Sequence, residues 1–109
     1  MKLFLFNELK ICHFFILHSI KLTNDSAKMK DVAMLTAKMY SKHVNWSPML
    51  NRAQLYREIK FLSDDMRWVV RRGLNPLILE INPTYAKEVR SFMNFFYENV
   101  DEIIEEKKK

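Results

Sequence analysis

Glycine and proline are scarce in this chain, and their scarcity limits the number of tight turns that the fold can contain. The 109 residues include one Gly and three Pro, while 49% are hydrophobic and 28% are charged. Such a composition is typical of one compact domain with few turns. It excludes a glycine-rich phosphate loop, and the length excludes a multi-domain enzyme.

Two pairs of a polar residue and a proline mark the places where predicted helices begin. Ser47 precedes Pro48, and Asn82 precedes Pro83. Each pair combines an N-cap side chain with a proline whose fixed φ suits the first helical turn. Gly73, the only glycine, suits the left-handed residue that follows a helix. We therefore predict that helix two spans residues 48 to about 72, and that helix three runs from residue 83 towards the C-terminus.

The segment between Gly73 and Asn82 does not predict a sheet. Residues 74–81 are apolar and contain Pro76, but no second strand is evident to pair with them, which favours a packed connector. Cap side chains at residues 24–26, followed by apolar residues at three- and four-residue steps, predict helix one up to about residue 44. The expected fold class is therefore all-α: a small helical bundle of about three main helices with an additional N-terminal helix.

The first 23 residues are apolar, and their place in the fold stays open. Polar and charged residues interrupt them, so we predict no transmembrane span. A series at helical spacing is consistent with an amphipathic or partner-covered helix: Leu5, Leu9, Cys12, Ile16 and Ile20. Alternatively, residues 1–23 lie outside the core and residues 24–109 form the helical domain. We expect that a chain beginning at Met29 still folds.

Helix two has two distinct faces in this prediction. Apolar residues at alternating steps of four and three form a core stripe: Leu55, Ile59, Leu62, Met66 and Val69. Cations interrupted by a single acid form a stripe on the opposite side: Arg57, Lys60, Asp64, Arg67 and Arg71. Phe61 and Trp68 lie beside the cationic stripe, where the core stripe cannot bury them. Helix two is therefore either the central helix of its bundle or is covered by a partner.

Helix two also contains the tripeptide Leu55-Tyr56-Arg57, and Arg90 and Phe92 follow on helix three. This arrangement resembles the LYR-motif family of small, basic, helical mitochondrial proteins. The resemblance implies a non-enzymatic adaptor, an assembly factor or accessory subunit of a mitochondrial complex such as those of the respiratory chain. Many members of that family bind the mitochondrial acyl carrier protein, whose acidic helix contacts basic side chains and whose acyl-phosphopantetheine enters the helical bundle.

The resemblance and the faces of helix two together define the expected partner-binding residues. By the resemblance, Leu55, Tyr56 and Arg57 are the motif, Phe92 is its downstream aromatic residue, and Arg90 is the cation that precedes it. By their positions on helix two, further residues support them: Lys60, Phe61, Arg67, Trp68 and Arg71. The expected partner is an acidic protein within a larger complex. The only cofactor implied is the acyl-phosphopantetheine of a bound carrier protein.

The charge balance keeps a second function open. The chain has 18 Lys and Arg against 13 Asp and Glu, a formal net charge of +5, and this charge attracts acidic partners of any class. A basic helical subunit that binds nucleic acid, such as a ribosome-associated protein, is the alternative. We expect neither metal binding nor catalysis, because the three histidines lack metal-ligand spacing and no Ser or Cys has the sequence context of a nucleophile.

Overall fold

The computed structural model describes residues 11–39 and 52–108. This part of the chain contains, in order, α1 (Ile11–Leu22), β1 (Ser26–Lys28), α2 (Met29–Met39), α3 (Arg52–Lys60), β2 (Val69–Arg72), β3 (Ile78–Ile81) and α4 (Ala86–Lys108). A π-helical turn, Phe61–Asp65, extends α3, and a 3-10 turn, Pro83–Tyr85, precedes α4. The predicted cap at Ser47-Pro48 and the predicted end of helix one lie outside the described residues.

The three strands form one antiparallel sheet, so the predicted all-α class is wrong. β3 lies at the centre, with β1 on one side and β2 on the other. Ala27 of β1 pairs with Leu79, and Val69 of β2 pairs with Ile81. These four side chains are buried and form the inner face of the sheet. The apolar segment interpreted as a connector is therefore a central strand.

Helix two is shorter than predicted, because the chain leaves helical geometry after Asp65. The backbone N–H of Met66 donates to the Phe61 carbonyl at 3.1 Å, which closes the π-helical turn, and Arg67 then takes a φ of 61°. β2 begins two residues later. The core stripe is confirmed as buried at Leu55, Ile59, Leu62 and Val69, but Val69 reaches the core from a strand. Its spacing matched a helix only by coincidence.

Gly73 is left-handed, as predicted, although it serves the loop between β2 and β3 and not a helix end. Its φ is 70°, and a Cβ added there would lie 3.0 Å from the carbonyl oxygen of Pro76. The Asn75-Pro76 peptide bond in the same loop is cis. This position therefore needs both a left-handed φ and room for a close backbone approach. Glycine meets both requirements because it has no Cβ.

The cap side chains predicted for helix one instead end α1. Asn24 has a φ of 60°, and the N–H of Asp25 donates to the Ile20 carbonyl at 3.1 Å while the N–H of Asn24 donates to the Lys21 carbonyl at 3.2 Å. This pair of bonds is a Schellman C-terminal motif with asparagine as its left-handed residue. The chain then enters β1, and α2 begins at Met29.

α1 is the central helix of the molecule. Residues 12–17 are buried without interruption, and Ile20 is buried one turn further on. The helix packs against α2, α3, α4 and the sheet. A helix that is apolar on all sides is expected to be enclosed in this way. This burial argues against the expectation that a chain beginning at Met29 folds.

α4 also packs against the core. The predicted start of helix three is confirmed at the residues that precede α4. The Asn82 side chain accepts a hydrogen bond from the Thr84 N–H at 3.1 Å, with Pro83 at the first position of the turn. Near the middle of α4, Tyr97 bonds to His18 of α1, and burial raises the pKa of the Tyr97 phenol above its usual 10.0. Within the described residues, no helix combines the length and apolarity that crossing a bilayer requires.

Candidate functional site

Two clefts lie on either side of α3, and consecutive residues of the LYR-like tripeptide line them. Tyr56 lines the first cleft, Arg57 lines the second, and Leu55 between the two faces is buried in the core. We call the first cleft the basic groove, after Lys28, Lys30 and Arg52. Tyr56 and Leu74 also lie in its wall. We call the second the histidine cleft, after His13. The tripeptide therefore does not form one contact surface.

The basic groove has a volume of about 400 Å³ and is built where three parts of the chain meet. Lys28 and Lys30 come from the junction of β1 and α2, Arg52 and Tyr56 come from α3, and Leu74 comes from the loop between β2 and β3. The backbone N–H of Met29 donates to the Leu77 carbonyl at 2.9 Å. This bond holds the lysine-bearing junction against the loop and fixes the width of the groove at that end.

The described lining of the basic groove carries charge of one sign. Its described lining includes Lys28, Lys30 and Arg52 and no carboxylate. The rest of the lining is mostly apolar: Met29, Ala33, Leu74, Pro76 and Leu77. Leu74 is 93% exposed, which is a large apolar exposure at the edge of a cationic surface. The groove therefore combines cationic side chains with apolar ones.

Arg71 of β2 is not among the described lining residues of the groove, but it contacts Tyr56. Its guanidinium donates to the Tyr56 hydroxyl oxygen at 3.4 Å and to the Asp64 carboxylate at 3.0 Å. Because Asp64 already compensates its charge, Arg71 orients the tyrosine and adds little free positive charge. The cationic stripe predicted for helix two is in this way divided between separate structural roles.

The histidine cleft has a volume of about 480 Å³ and carries charges of both signs. Arg57 and Lys60 line it together with Glu58, Asp64 and Asp65. His13 is 1% exposed and forms a hydrogen bond with Glu58, with 2.8 Å between Nε2 and Oε1. The ring of Phe61 stacks on the imidazole with 5.2 Å between centroids. A buried histidine and a carboxylate thus meet beside a solvent-accessible cleft.

The other predicted site residues lie apart from both clefts. Arg67 is the left-handed residue between α3 and β2, and its carbonyl accepts a hydrogen bond from Asn82. Trp68, expected to be exposed, is buried, and its indole packs on the ring of Phe92 at 5.6 Å. Phe92 has no exposed surface, and Arg90 is exposed on α4. The two aromatic residues therefore stabilise the core.

Sequence reasoning missed the residues of the basic groove other than Tyr56. Lys28 and Lys30 were visible as a short basic run, but only the pairing of β1 with β3 brings them beside the loop that carries Leu74. It also missed Glu58 as the partner of His13, because the two residues are 45 positions apart. No local signal in the sequence joins these pairs.

Comparison of the chain with protein-family models, with curated proteins and with solved structures finds no match. The geometry of the two clefts is therefore the basis for any assignment of function. The tripeptide lies on a nine-residue helix that leads through a π-helical turn towards a strand. That setting differs from the helical bundle that the LYR resemblance implies.

Proposed function

We propose that this protein is a non-enzymatic binding module whose basic groove takes an acidic segment of a partner protein. The observation that carries the proposal is the groove itself, whose described lining combines three cations with apolar side chains and contains no carboxylate. An acidic segment with one or two apolar side chains matches both components. Charge complementarity of this kind favours association and its correct register.

The lining favours a protein partner over nucleic acid. Nucleic-acid surfaces combine a series of cations with aromatic rings on which bases stack. Among the lining residues that the structure describes, the basic groove has one aromatic residue, Tyr56, and its remaining non-cationic lining is largely aliphatic. Aliphatic contacts such as those of Leu74 and Leu77 suit the apolar side chains of a peptide or a helix. An acyl carrier protein, with an acidic recognition helix, is one partner of this chemistry.

The test uses the full chain and three fluorescent probes: an acidic peptide of alternating Glu and Leu, an acyl carrier protein, and a single-stranded oligonucleotide. Arg52→Glu should weaken binding of the peptide or the carrier protein at least tenfold, because it reverses one of three cations in the groove. Leu74→Ser should weaken it several-fold through lost apolar contact. Neither change should disturb the fold, since both side chains are exposed.

Matched variants separate the groove from the motif and from net charge. Arg57→Glu makes the same charge change about one and a half helical turns away, on the wall of the histidine cleft, and Arg90→Glu makes it on α4. We expect both to retain at least a third of the parent affinity. If Arg57→Glu abolishes binding while Arg52→Glu does not, the basic groove is the wrong surface. If all three variants lose affinity equally, or only the oligonucleotide binds, the nucleic-acid alternative replaces this proposal.

A further inference from the structure

We infer that Cys12, His13 and Glu58 form a binding site for a divalent transition metal of the Zn²⁺ class. A thiol sulfur, an imidazole nitrogen and a carboxylate oxygen from these residues all lie within 4.8 Å of one another. Cys12 is 2% exposed and His13 is 1% exposed, and the Glu58 side chain is 15% exposed. Sulfur, nitrogen and oxygen ligands in one small cluster are the set that Zn²⁺ takes in proteins.

The distances suit replacement of a proton by a metal ion. His13 Nε2 and Glu58 Oε1 are hydrogen-bonded across 2.8 Å. In a tetrahedral zinc site, ligand atoms at bond lengths near 2.1 Å lie about 3.4 Å apart, so these two atoms need to separate by only about half an ångström. The sulfur, which lies within 4.8 Å of the other two ligand atoms, needs to approach to about 3.6 Å, a displacement of up to about 1.2 Å. The ion binds Nε2 in its unprotonated form, so any proton on Nε2 moves to Nδ1 or to solvent, and the thiol proton goes to solvent.

The fold brings the ligands together from two elements and leaves them accessible. Cys12 and His13 are on α1, and Glu58 is on α3, so the site exists only in the folded chain. The histidine cleft reaches His13 and Glu58, which provides a path for the ion and room for a water molecule as fourth ligand. Asp65 at the same cleft attracts cations, Asp64 is already paired with Arg71, and Arg57 and Lys60 oppose cation binding.

The ligand set also defines which metals should bind. A thiolate is a soft ligand and selects zinc and its neighbours over Mg²⁺ and Ca²⁺, which prefer oxygen. Two of the three ligands are already buried, so water reaches a bound ion from the side of the histidine cleft. The sequence pattern could not indicate this site, because Cys12 and His13 are adjacent and Glu58 follows only after 44 intervening residues. The site is separate from the basic groove, so neither proposal depends on the other.

The experiment titrates the reduced full chain with Co²⁺, which takes zinc sites and reports its ligands by absorption. A thiolate bound to Co²⁺ gives a near-ultraviolet charge-transfer band, and Cys12 is the only cysteine in the chain. We expect this band to appear at one equivalent, to disappear when Zn²⁺ is added and to persist when Mg²⁺ is added. Zn²⁺ should also raise the Tm of the parent chain, because a ligand that binds only the folded state stabilises it.

Two conservative substitutions decide whether these residues are the ligands. Glu58→Gln keeps a hydrogen-bond acceptor for His13 but removes the anionic ligand, and it should weaken Co²⁺ binding at least tenfold. Asp64→Asn is its matched control at the same cleft and should change affinity less than threefold. Cys12→Ser should remove the band. A folded parent that shows neither the band nor a Tm rise, or equal affinities in Glu58→Gln and the parent, would overturn the proposal.

Discussion

The two leucines of α1 provide the sharpest test of this fold. Leu17 has no exposed surface, whereas Leu22, five residues along the same helix, is 59% exposed. Leu17→Ala removes a side chain from a closed interior and leaves a cavity, which costs about 2 to 5 kcal/mol. Leu22→Ala exchanges one strong helix former for another at the surface, and such changes stay within about 0.5 kcal/mol.

Urea unfolding followed by circular dichroism and tryptophan fluorescence measures the difference directly. With a denaturant slope of about 1.5 kcal/mol per molar, a loss of 3 kcal/mol lowers the unfolding midpoint by roughly 2 M. Leu17→Ala should show a shift of that size with an unchanged slope, and Leu22→Ala should unfold like the parent. Equal midpoints for the two variants would mean that α1 does not lie in the interior, and the central position assigned to it would be wrong.

Two further predictions concern the segment that the sequence left open and the loop between β2 and β3. Deletion of residues 1–28 removes, among the described residues, five large buried apolar side chains: Phe14, Phe15, Ile16, Leu17 and Ile20. Burial of each side chain contributes about 1.5 to 3 kcal/mol, and together they match the whole stability of a small domain. The shortened chain should therefore show no cooperative melting in calorimetry. A sharp transition would contradict the structure. Gly73→Ala introduces a Cβ at a φ of 70° and should cost about 1 to 2 kcal/mol, measured as a Tm lowered by several degrees; an unchanged Tm would mean that the loop takes another conformation.

Elements with a local chemical signature could be predicted from the sequence. Asn82 and Pro83 start α4 because a cap side chain and a fixed φ act on the same turn, independently of the rest of the fold. Helix two was predicted correctly at Leu55, Ile59 and Leu62 for a similar reason, since amphipathic spacing depends on neighbouring residues alone. Where the structure is determined by neighbours in sequence, the pattern was sufficient.

The sheet was missed because its evidence is divided between distant segments. The pair Val69-Val70, the turn residues around Gly73 and the apolar run up to Ile81 together describe a hairpin, but each part also fits a helix or a connector when taken alone. β1 has three residues, and its pairing partners lie some fifty positions further along the chain. A strand of this length has no pattern of its own that a sequence could reveal.

The candidate sites could likewise be predicted only in part. Tyr56 was predicted as a contact residue from a motif, and it does line a cleft, but the cations around it come from the β1–α2 junction and from the start of α3. Arg57 was expected to act with Tyr56, yet it lines the other cleft, because consecutive helical residues point about 100° apart. Motif membership could identify the helix, and the helix geometry then decided which residue lines which cleft.

The order of strands in the sheet also determines the order in which the molecule can assemble. Arg72 and Ile78 are paired across a short loop, whereas Ala27 and Leu79 close a loop roughly nine times longer, which costs about 2 kcal/mol more in chain entropy. The β2–β3 hairpin can therefore form early and by itself. β1 has to wait, and during synthesis it leaves the ribosome long before β3 exists to receive it. Until then α1 can pack against α2 and α3 but not against the sheet or α4, so part of its apolar surface stays uncovered in the nascent chain.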